Sequence, residues 1–538
     1  MRASVAEQPA VHASCGRLPA WGTADLPTPK TLSWRNWTAF IGPGIVMMGI
    51  QIGGGEWLFG PEVTARYGGG LMWIATVAII VQVFYNLEAG RYALATGEPI
   101  MTGFMRLRPG PGFWMSLVLL LNCGALIPGL STHGAAVIAS LVLGHPAGVE
   151  DKALVTLLAY VCLGAVALPV LVGGKVYNTL QAVMTAKVVF VLGFCLLIGV
   201  LWVSAEGWWN VFSGFVKFGH VPVADGQGGE KLVNVFGHFF AHGEWPVIAL
   251  ANIAVLGAFA GYAGGGGLSN STYSNYVRDK GWGMGAQVGA IPSAVGGRNV
   301  TLSHLGKFFP LTSANLARWR GWWRTVLADQ VFIWAPGCFI GMALPALLSI
   351  GFAQHSPLSA QTAKLDWAQA VITADGMRHG PGFAPWLAQA LWVVTLLVGL
   401  MVLLPSQMSI VDDFSRRWTD ILWSGNRRVR ERMQPHQVKN IYYGILGTYV
   451  LWTCVAAWIF STYGTPKLMV LVIANLNNLA LGITAFVLLR VNTRLLPPPL
   501  RPPWFYRTGL VMCGAFYLGM AMLVFVTKQL PMLREVLK

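Results

Sequence analysis

Residues 42–66 form an apolar stretch that is interrupted at its centre. It reads GPGIVMMGIQIGGGEWLFGPEVTAR, so that three glycines at 53–55 are followed directly by Glu56. Glycine costs about 1 kcal/mol relative to alanine inside a helix, and a carboxylate at bilayer depth costs at least about 2.5 kcal/mol. Non-helical backbone is tolerated at that depth only where protein or a cavity surrounds it. The stretch therefore predicts a membrane-spanning helix that is broken around a binding site.

The composition is that of a polytopic membrane protein. Of the 538 residues, 55% are hydrophobic and 11% are charged, whereas soluble domains carry about 25% charged residues. The net charge of +16 is explained by Lys- and Arg-rich loops next to the membrane, so we expect no nucleic-acid partner. The seven cysteines form no CxxC pair, which argues against a disulfide framework or a zinc site. Neither a Walker motif nor a hydrolase motif is present, so we expect no enzyme activity and no cofactor.

Apolar runs long enough to cross a bilayer, at about 20 residues per crossing, occur eleven times. We therefore predict an all-α polytopic membrane protein with eleven transmembrane helices. The predicted spans are 38–66 (broken), 70–90, 113–143, 153–173, 177–203, 247–276 (broken), 325–352, 385–410, 440–461, 466–489 and 506–527.

The positive charges predict the orientation of these spans. With a cytoplasmic N-terminus, 26 Lys and Arg residues fall on the cytoplasmic side and 10 on the other side, as the positive-inside rule requires. We expect the protein in the plasma or inner membrane. An odd number of spans then places the C-terminus on the extracytoplasmic side. The predicted segments are a cytoplasmic tail (1–37), a first five-helix repeat (38–203), an extracytoplasmic loop (204–246), helices six to nine with the cytoplasmic loop 278–324 (247–461), helices ten and eleven (462–530) and a C-terminal tail (531–538).

The sixth span repeats the interruption of the first. Residues 257–276 read GAFAGYAGGGGLSNSTYSNY, with four consecutive glycines at 264–267. Helices one and six occupy corresponding positions in two five-helix halves, and an odd repeat gives those halves opposite orientations. Paired Gly-interrupted helices in such positions indicate a transporter site built from inverted repeats. Tight helix packing alone is the alternative explanation for the glycines.

These motifs resemble the Nramp family of divalent-metal transporters, within the amino acid–polyamine–organocation superfamily. In that family the first helix opens with Gly-Pro-Gly and breaks at Asp-Pro-Gly-Asn, and here GPG at 42–44 and GGGE at 53–56 fall in the same register. The segments EAGRYALATGE (88–98), GGKVYNTLQAVMTAKVV (173–189) and LLPSQMSIVDD (403–413) are also similar to the family. The resemblance implies an inverted 5+5 repeat and metal transport. The family's helix-one Asp and helix-six Met-Pro-His are replaced here by glycine-rich sequence, which indicates a divergent branch.

Glu56 is the main candidate for contact with a cation. The Glu56 carboxylate and the backbone carbonyl groups freed at the break would both supply oxygen ligands. Oxygen ligands suit Mn²⁺ or Mg²⁺. Three other roles stay open for Glu56: proton acceptor, partner of an ammonium group on an organic solute, or structural hydrogen bonding. The candidate binding set comprises Gln51, Ile52, Gly53, Glu56, Ala263, Gly264, Gly265, Asn270, Gln407, Asn475 and Asn478.

Four further residues are candidates for other roles. Glu88 and Arg91, three apart on a helix, can form a structural or gating pair. His238 and His242 share a helix face, a spacing that permits metal binding, although an interfacial amphipathic helix explains them as well.

The leading prediction is alternating-access transport of a hard divalent cation. A small organic solute is the alternative, and a non-transporting membrane receptor or scaffold is a third hypothesis. Coupling to H⁺ or Na⁺, and a monomeric or homo-oligomeric state, stay open.

Overall fold

The structure is a computed structural model that describes residues 17–29, 42–171, 175–225, 229–295, 299–360, 362–380, 382–531 and 534. Residues 1–16 and 30–37 of the predicted N-terminal tail lie outside the described residues. The same is true of most of the predicted C-terminal tail.

The described part of the chain is mostly helical. Glycine and proline at the interruptions divide it into many elements, because neither residue continues a helix readily. The helices are α1 (Pro43–Gln51), α2 (Gly60–Tyr67), α3 (Trp73–Thr96), α4 (Ile100–Arg106), α5 (Pro111–Leu121), α6 (Gly129–Leu143), α7 (Lys152–Ala167), α8 (Val176–Trp202), α9 (Ala205–Gly214), α10 (Val235–His242), α11 (Ile253–Tyr262), α12 (Tyr273–Lys280), α13 (Gly285–Val288), α14 (Ser313–Ala328), α15 (Ala335–Phe352), α16 (Thr362–Ala368), α17 (Ile372–His379), α18 (Pro385–Gly425), α19 (Arg427–Arg432), α20 (Val438–Tyr463), α21 (Pro466–Arg494) and α22 (Trp504–Val524).

Within the described ranges, nine helical segments are long and apolar enough to cross a membrane. One of them, Ser313–His355, joins two helices through a π turn, and several others carry a short 3₁₀ or π turn at one end. They are Trp73–Thr96, Cys123–Leu143, Val149–Leu171, Val176–Trp202, Ser313–His355, Pro385–Gly425, Pro435–Tyr463, Pro466–Arg494 and Trp504–Gln529. Each overlaps one of the nine unbroken spans predicted from the sequence.

The two predicted broken spans each consist of two shorter helices. The first contains α1 and α2, joined through a π-helical turn at Gly55–Phe59. The second contains α11 and α12, joined through a 3₁₀ turn at Gly267–Thr272. Both pairs pack at the centre of the molecule, where α1 contacts α8 and α11 contacts α21.

Two small sheets lie outside the helical core. The predicted loop 204–246 contains α9, α10 and an antiparallel hairpin of β2 (His220–Ala224) and β3 (Glu230–Asn234). The N-terminal segment contributes β1 (Gly22–Thr23), which pairs in parallel with β4 (Lys307–Phe308). The N-terminal segment is therefore attached to the long loop between α12 and α14.

Candidate substrate cavity at the two helix breaks

The first break begins where α1 ends at Gln51. Ile52 leaves the helical conformation, with φ −68° and ψ 82°, and helical structure resumes in the π turn. Close approach to the second break requires glycine at position 55. A Cβ atom added there would lie 2.5 Å from the carbonyl oxygen of Tyr262. The glycine run therefore opens the helix and also lets the two breaks meet.

The second break requires glycine for its backbone conformation. Gly264 and Gly267 have φ values of 81° and 59°, in the left-handed region that other residues seldom adopt. Gln82 of α3 binds the opened backbone on both sides of the break: its Oε1 accepts from Gly265 N at 2.6 Å, and its Nε2 donates to Ala263 O at 2.8 Å. Gln82 is not among the residues predicted from the sequence, although a glutamine inside an apolar span was an available signal.

A cavity that is partly open to solvent lies where the two breaks meet. Both broken helices line it, together with α18, α21 and the start of the segment that contains α6. The lining is largely apolar and also carries amides, hydroxyls and one carboxylate. The polar lining residues are Gln51, Asn122, Tyr262, Ser269, Thr272, Tyr276, Ser406, Ser409, Asp413 and Asn477.

Four polar atoms of the lining residues have no hydrogen-bond partner in the described part of the chain. They are Gln51 Nε2, Asn122 Nδ2, Tyr262 OH and Tyr276 OH. The orientation of both amides is fixed, because Trp334 donates to Gln51 Oε1 and Arg417 donates to Asn122 Oδ1 at 2.9 Å. All four unpaired atoms are therefore able to donate a hydrogen bond.

The structure places only part of the predicted binding set at this cavity. Gln51 and Gly264 line it, whereas Glu56 is not among the described residues that do. The Glu56 side chain is 1% exposed, and its Oε2 accepts from Gly53 N at 3.0 Å while Oε1 has no partner in the described chain. Asn270 donates to Gln82 and Asn86, at 3.0 Å in each case.

The remaining predicted residues lie behind the cavity wall. Ile52, Gly53, Ala263 and Gly265 form the backbone of the two breaks. Gln407 accepts from Ser131 N at 3.2 Å. Asn478 donates to Gly257 O at 2.9 Å, and Asn475 donates to Leu471 O of its own helix at 2.8 Å. Of the three neighbouring asparagines Asn475, Asn477 and Asn478 in α21, Asn477 is the one that lines the cavity.

Charged side chains close the cavity toward α12. Asp413 accepts from Thr272 and from Arg417 Nη2, the latter at 2.5 Å. Arg417 also donates to Leu268 O at 2.8 Å, so it joins α18 to the second break. Both side chains are buried.

On the opposite side of the breaks, a second buried ion pair joins α2 to the start of α21. Lys467 Nζ lies 2.7 Å from Glu62 Oε1, and Gln369 donates to Glu62 Oε2 at 2.7 Å. Trp57 Nε1 donates to Ala370 O at 3.2 Å beside them. The segment between α16 and α17 is therefore fastened over this end of the first broken helix.

Glu88 and Arg91 form the predicted pair, with Arg91 Nε 2.9 Å from Glu88 Oε1. The guanidinium also stacks on Trp323 at 3.9 Å, and Asn492 donates to Glu88. The pair is buried away from the cavity.

His242 is exposed and His238 is half-buried in α10, and their rings stack 4.3 Å apart. No group of three or more potential metal-ligating side chains is found in the described residues.

The comparison with solved structures finds transporters among those similar to this chain. No protein-family model matches the sequence, and no curated protein matches it. The chain is similar to the Eremococcus coleocola manganese transporter, solved with an aromatic bis-isothiourea-substituted compound, at 13% identity and a TM-score of 0.59, covering 95% of this chain and 94% of that one. A mutant of that transporter matches at 13% identity and a TM-score of 0.58, covering 96% and 94%.

A more distant match is Mhp1, a nucleobase-cation-symport-1 family transporter, at 12% identity and a TM-score of 0.46, covering 91% of this chain and 93% of that one. That score is too low to support a conclusion about this chain. The two structures with the higher scores are of a transporter and not of an enzyme. The chain is thus an integral membrane protein with a transporter fold that is divergent in sequence.

Proposed function

We propose that the protein is a secondary transporter that moves a small organic solute through this cavity by alternating access. The unpaired donors of the lining carry the proposal. A buried donor without a partner costs about 1–3 kcal/mol, and carboxylate or carbonyl oxygens of a solute would satisfy Gln51 Nε2, Asn122 Nδ2 and the two tyrosine hydroxyls. The apolar remainder of the wall would bury the hydrocarbon part of the solute.

Two gates are part of the proposal. Alternating access exposes a central site to one side of the membrane at a time. The Glu62–Lys467 pair would close the cavity on the predicted outer side, and the Asp413–Arg417 pair would close it on the predicted cytoplasmic side. We further propose that the broken segments are spans one and six, which completes eleven spans with an inverted repeat over 38–203 and 247–461.

Transport of Mn²⁺ or Mg²⁺ is the second candidate, within a divergent branch of the Nramp type. The retained GPG and GGGE register and the fold of the manganese transporter favour it. The unpaired Oε1 of Glu56 could serve as a metal ligand. A cation needs acceptors, however. The unpaired amide nitrogens of Gln51 and Asn122 can only donate, while the two tyrosine hydroxyls can donate or accept, so the organic solute is the first choice.

Uptake into proteoliposomes tests both candidates. Purified protein would be reconstituted and assayed with radiolabelled amino acids and small carboxylic acids, and separately with Mn²⁺ and Mg²⁺. We expect uptake of an organic acid or amino acid, and a rise in the unfolding temperature with the same compound. Uptake and stabilisation by the divalent ions alone would replace the first candidate by the second.

A pair of glycine variants connects uptake to the cavity. In Gly54→Val the new side chain would meet Leu130 and Tyr262, because a Cβ atom there already lies 3.2 Å and 3.3 Å from them. Gly193→Val is the matched control, since a Cβ atom at that helical position meets nothing within 4 Å. We expect Gly54→Val to abolish uptake and Gly193→Val to retain it. Equal uptake by the two variants would contradict the proposal that the solute passes through this cavity.

A further inference from the structure

His304 lies in the long loop between α12 and α14, outside the membrane-spanning segments, and each of its ring nitrogens faces a backbone carbonyl. Nδ1 lies 3.1 Å from Trp423 O, and Nε2 lies 2.9 Å from Met433 O. A neutral imidazole carries one N–H and can donate to only one of these acceptors, whereas an imidazolium ion donates to both. The two contacts together therefore require the doubly protonated ring.

Both carbonyl groups stand at the C-terminal end of a helix. Trp423 belongs to the last turn of α18, which ends at Gly425, and Met433 directly follows α19. The final carbonyl groups of a helix lack partners within it and carry the negative end of its dipole. A positive charge is favourable there, by up to about 2 kcal/mol where it is partly buried, and His304 is half-buried.

The Trp423 side chain adds an interaction that also favours the charged ring. The imidazole stacks on the indole with 3.9 Å between the ring centroids, and the face of an indole attracts a cation. The indole Nε1 donates to Ser303 O at 3.2 Å, so the same side chain holds the preceding residue of the loop. Two carbonyl oxygens and an aromatic face thus surround the ring of His304.

Within the described part of the chain, His304 has no carboxylate partner. The titratable and charged groups on the segments packed against it are Glu98, Lys307, Asp420, Arg427, Arg428, Arg430, Glu431, Arg432 and His436. The three carboxylates are each paired with an arginine, as Glu98–Arg106, Asp420–Arg278 and Glu431–Arg427. Arg428, Arg432 and His436 are exposed, where water and salt screen their repulsion. The charge of His304 is therefore compensated by the carbonyl groups and the indole.

The segment 302–308 around His304 connects the end of α18 to other elements of the same side of the molecule. Gly306 N donates to Glu98 Oε1 at 2.9 Å, and Lys307–Phe308 pairs with β1. The helix α18 also carries one of the two proposed gates. Loss of a proton from His304 would leave one of the two helix-end carbonyls without its donor, and a buried acceptor without a donor costs about 1–3 kcal/mol.

We propose that His304 is a proton-dependent clamp, which as an imidazolium ion fastens the segment 302–308 to the ends of α18 and α19. Loss of one proton releases one of these two contacts. The clamp holds at a pH that keeps the ring doubly protonated and weakens as the pH rises on the predicted cytoplasmic side. The segment lies outside the cavity, so the clamp does not depend on the solute proposed above.

Thermal unfolding of the purified full chain in detergent tests the clamp. Wild type and His304→Gln would be compared at about pH 6 and about pH 9, on either side of the usual titration of histidine. The glutamine amide can donate to a carbonyl at both pH values, but it carries no charge. We expect the wild type to unfold about 1–2 °C above His304→Gln at the lower pH. The difference should shrink at the higher pH, because the wild type alone loses the proton.

His436→Gln is the matched control, because His436 is exposed in the connection that follows α19. It should unfold as the wild type does at both pH values. A difference between wild type and His304→Gln that is the same at both pH values would overturn the proposal, since a neutral histidine with a purely structural role gives that result.

A second measurement leaves His304 in place and so does not depend on the folding of His304→Gln. In a background without native cysteines, Leu302→Cys places a thiol at a buried position of the segment, and Thr301→Cys places one at the exposed position beside it. Thiol chemistry speeds both maleimide reactions as the pH rises, so the ratio of the two rates reports the opening of the segment. We expect the ratio for Leu302→Cys over Thr301→Cys to rise about twofold or more between about pH 6 and about pH 9.

A constant ratio would overturn the proposal as well. None of these measurements uses a transported solute, so a failed uptake assay and a failed pH response are separate results.

Discussion

At the scale of single residues, Gln51 separates the two candidate substrates. Gln51→Glu keeps an oxygen to accept from Trp334 and replaces the unpaired Nε2 donor by an acceptor. We expect it to weaken binding of an anionic solute by about 1–3 kcal/mol, which corresponds to about 5–150-fold in affinity. It should strengthen binding of a cation. Titration of the unfolding temperature with solute and with Mn²⁺ measures both effects.

Gln287→Glu is the matched control for this change, because Gln287 is exposed and lies away from the cavity. It introduces the same charge and should leave both affinities as they are in the wild type. A Gln51→Glu protein that binds the anionic solute as tightly as the wild type would contradict the role given to the amide.

Glu98 gives a prediction about pH. It accepts from Arg106 Nε at 2.8 Å, from Tyr92 OH at 2.7 Å and from Gly306 N at 2.9 Å. Burial opposes ionisation, but the Arg106 guanidinium outweighs it and lowers the pKa of Glu98 below the ordinary 4.5. Because the folded pKa is the lower one, the stabilisation is present above 4.5 and is lost as the pH falls toward the folded value.

We therefore expect the unfolding temperature of the wild type to fall when the pH drops below about 4.5. Glu98→Gln should be less stable than the wild type at neutral pH, and the difference should shrink as the pH is lowered. Glu244→Gln, which changes an exposed carboxylate, is the control. A difference between Glu98→Gln and the wild type that stays constant down to low pH would contradict this assignment.

The residues of the cavity were only partly predictable from the sequence. The glycine runs and the burial cost of Glu56 indicate a helix break. The break was predictable because it depends on residues that are close together in the sequence. Which side chains face the cavity depends on helix rotation beyond the break, and the π turn at Gly55–Phe59 changes that rotation. Asn478 faces Gly257 of α11, while Asn477 faces the cavity. That choice is made by packing between helices distant in sequence.

At the scale of elements, Gln82 holds the second break open. Gln82→Met would leave Gly265 N and Ala263 O without their partner, at about 1–3 kcal/mol for each buried group. We expect a lower unfolding temperature and reduced uptake, since the cavity wall is built on that backbone. Gln287→Met is the control, because it makes the same change of side chain at an exposed position. If Gln82→Met were as stable as the control, the backbone at 263–265 would have to find other partners.

The Glu62–Lys467 ion pair joins α2 to α21. The two side chains are 2% and 8% exposed, and breaking a buried pair typically costs about 3–5 kcal/mol. We expect Lys467→Met to be destabilised by less than that range, because Arg66 Nη2 remains 3.2 Å from Glu62 Oε1. The double variant Glu62→Gln, Lys467→Met should be destabilised by less than the sum of the single changes. A double-mutant cycle on thermal unfolding measures the coupling, and additive effects would contradict a direct interaction.

At the scale of the whole molecule, the unbroken spans were the most predictable feature. Continuous apolar length determines them, and each of the nine overlaps its predicted position. Their ends differ more. The helix α18 continues to Gly425 instead of ending near 410, because Asp412, Asp413, Arg416 and Arg417 are paired inside the protein. Hydropathy counts charged residues but does not show whether they form ion pairs. A helix end predicted from hydropathy therefore falls too early when the charged residues are paired inside the protein.

Membrane orientation is the prediction that tests the whole arrangement. The 26 to 10 distribution of Lys and Arg places loop 204–246 outside and the α18–α20 connection in the cytoplasm. In a background without native cysteines, we expect Glu206→Cys to react with a membrane-impermeant maleimide in intact cells. Arg428→Cys should react only after permeabilisation. Both positions are exposed in the structure, so access is limited by the membrane alone. The reverse labelling pattern would invert the two gates: Glu62–Lys467 would then close the cytoplasmic side, and Asp413–Arg417 the outer side.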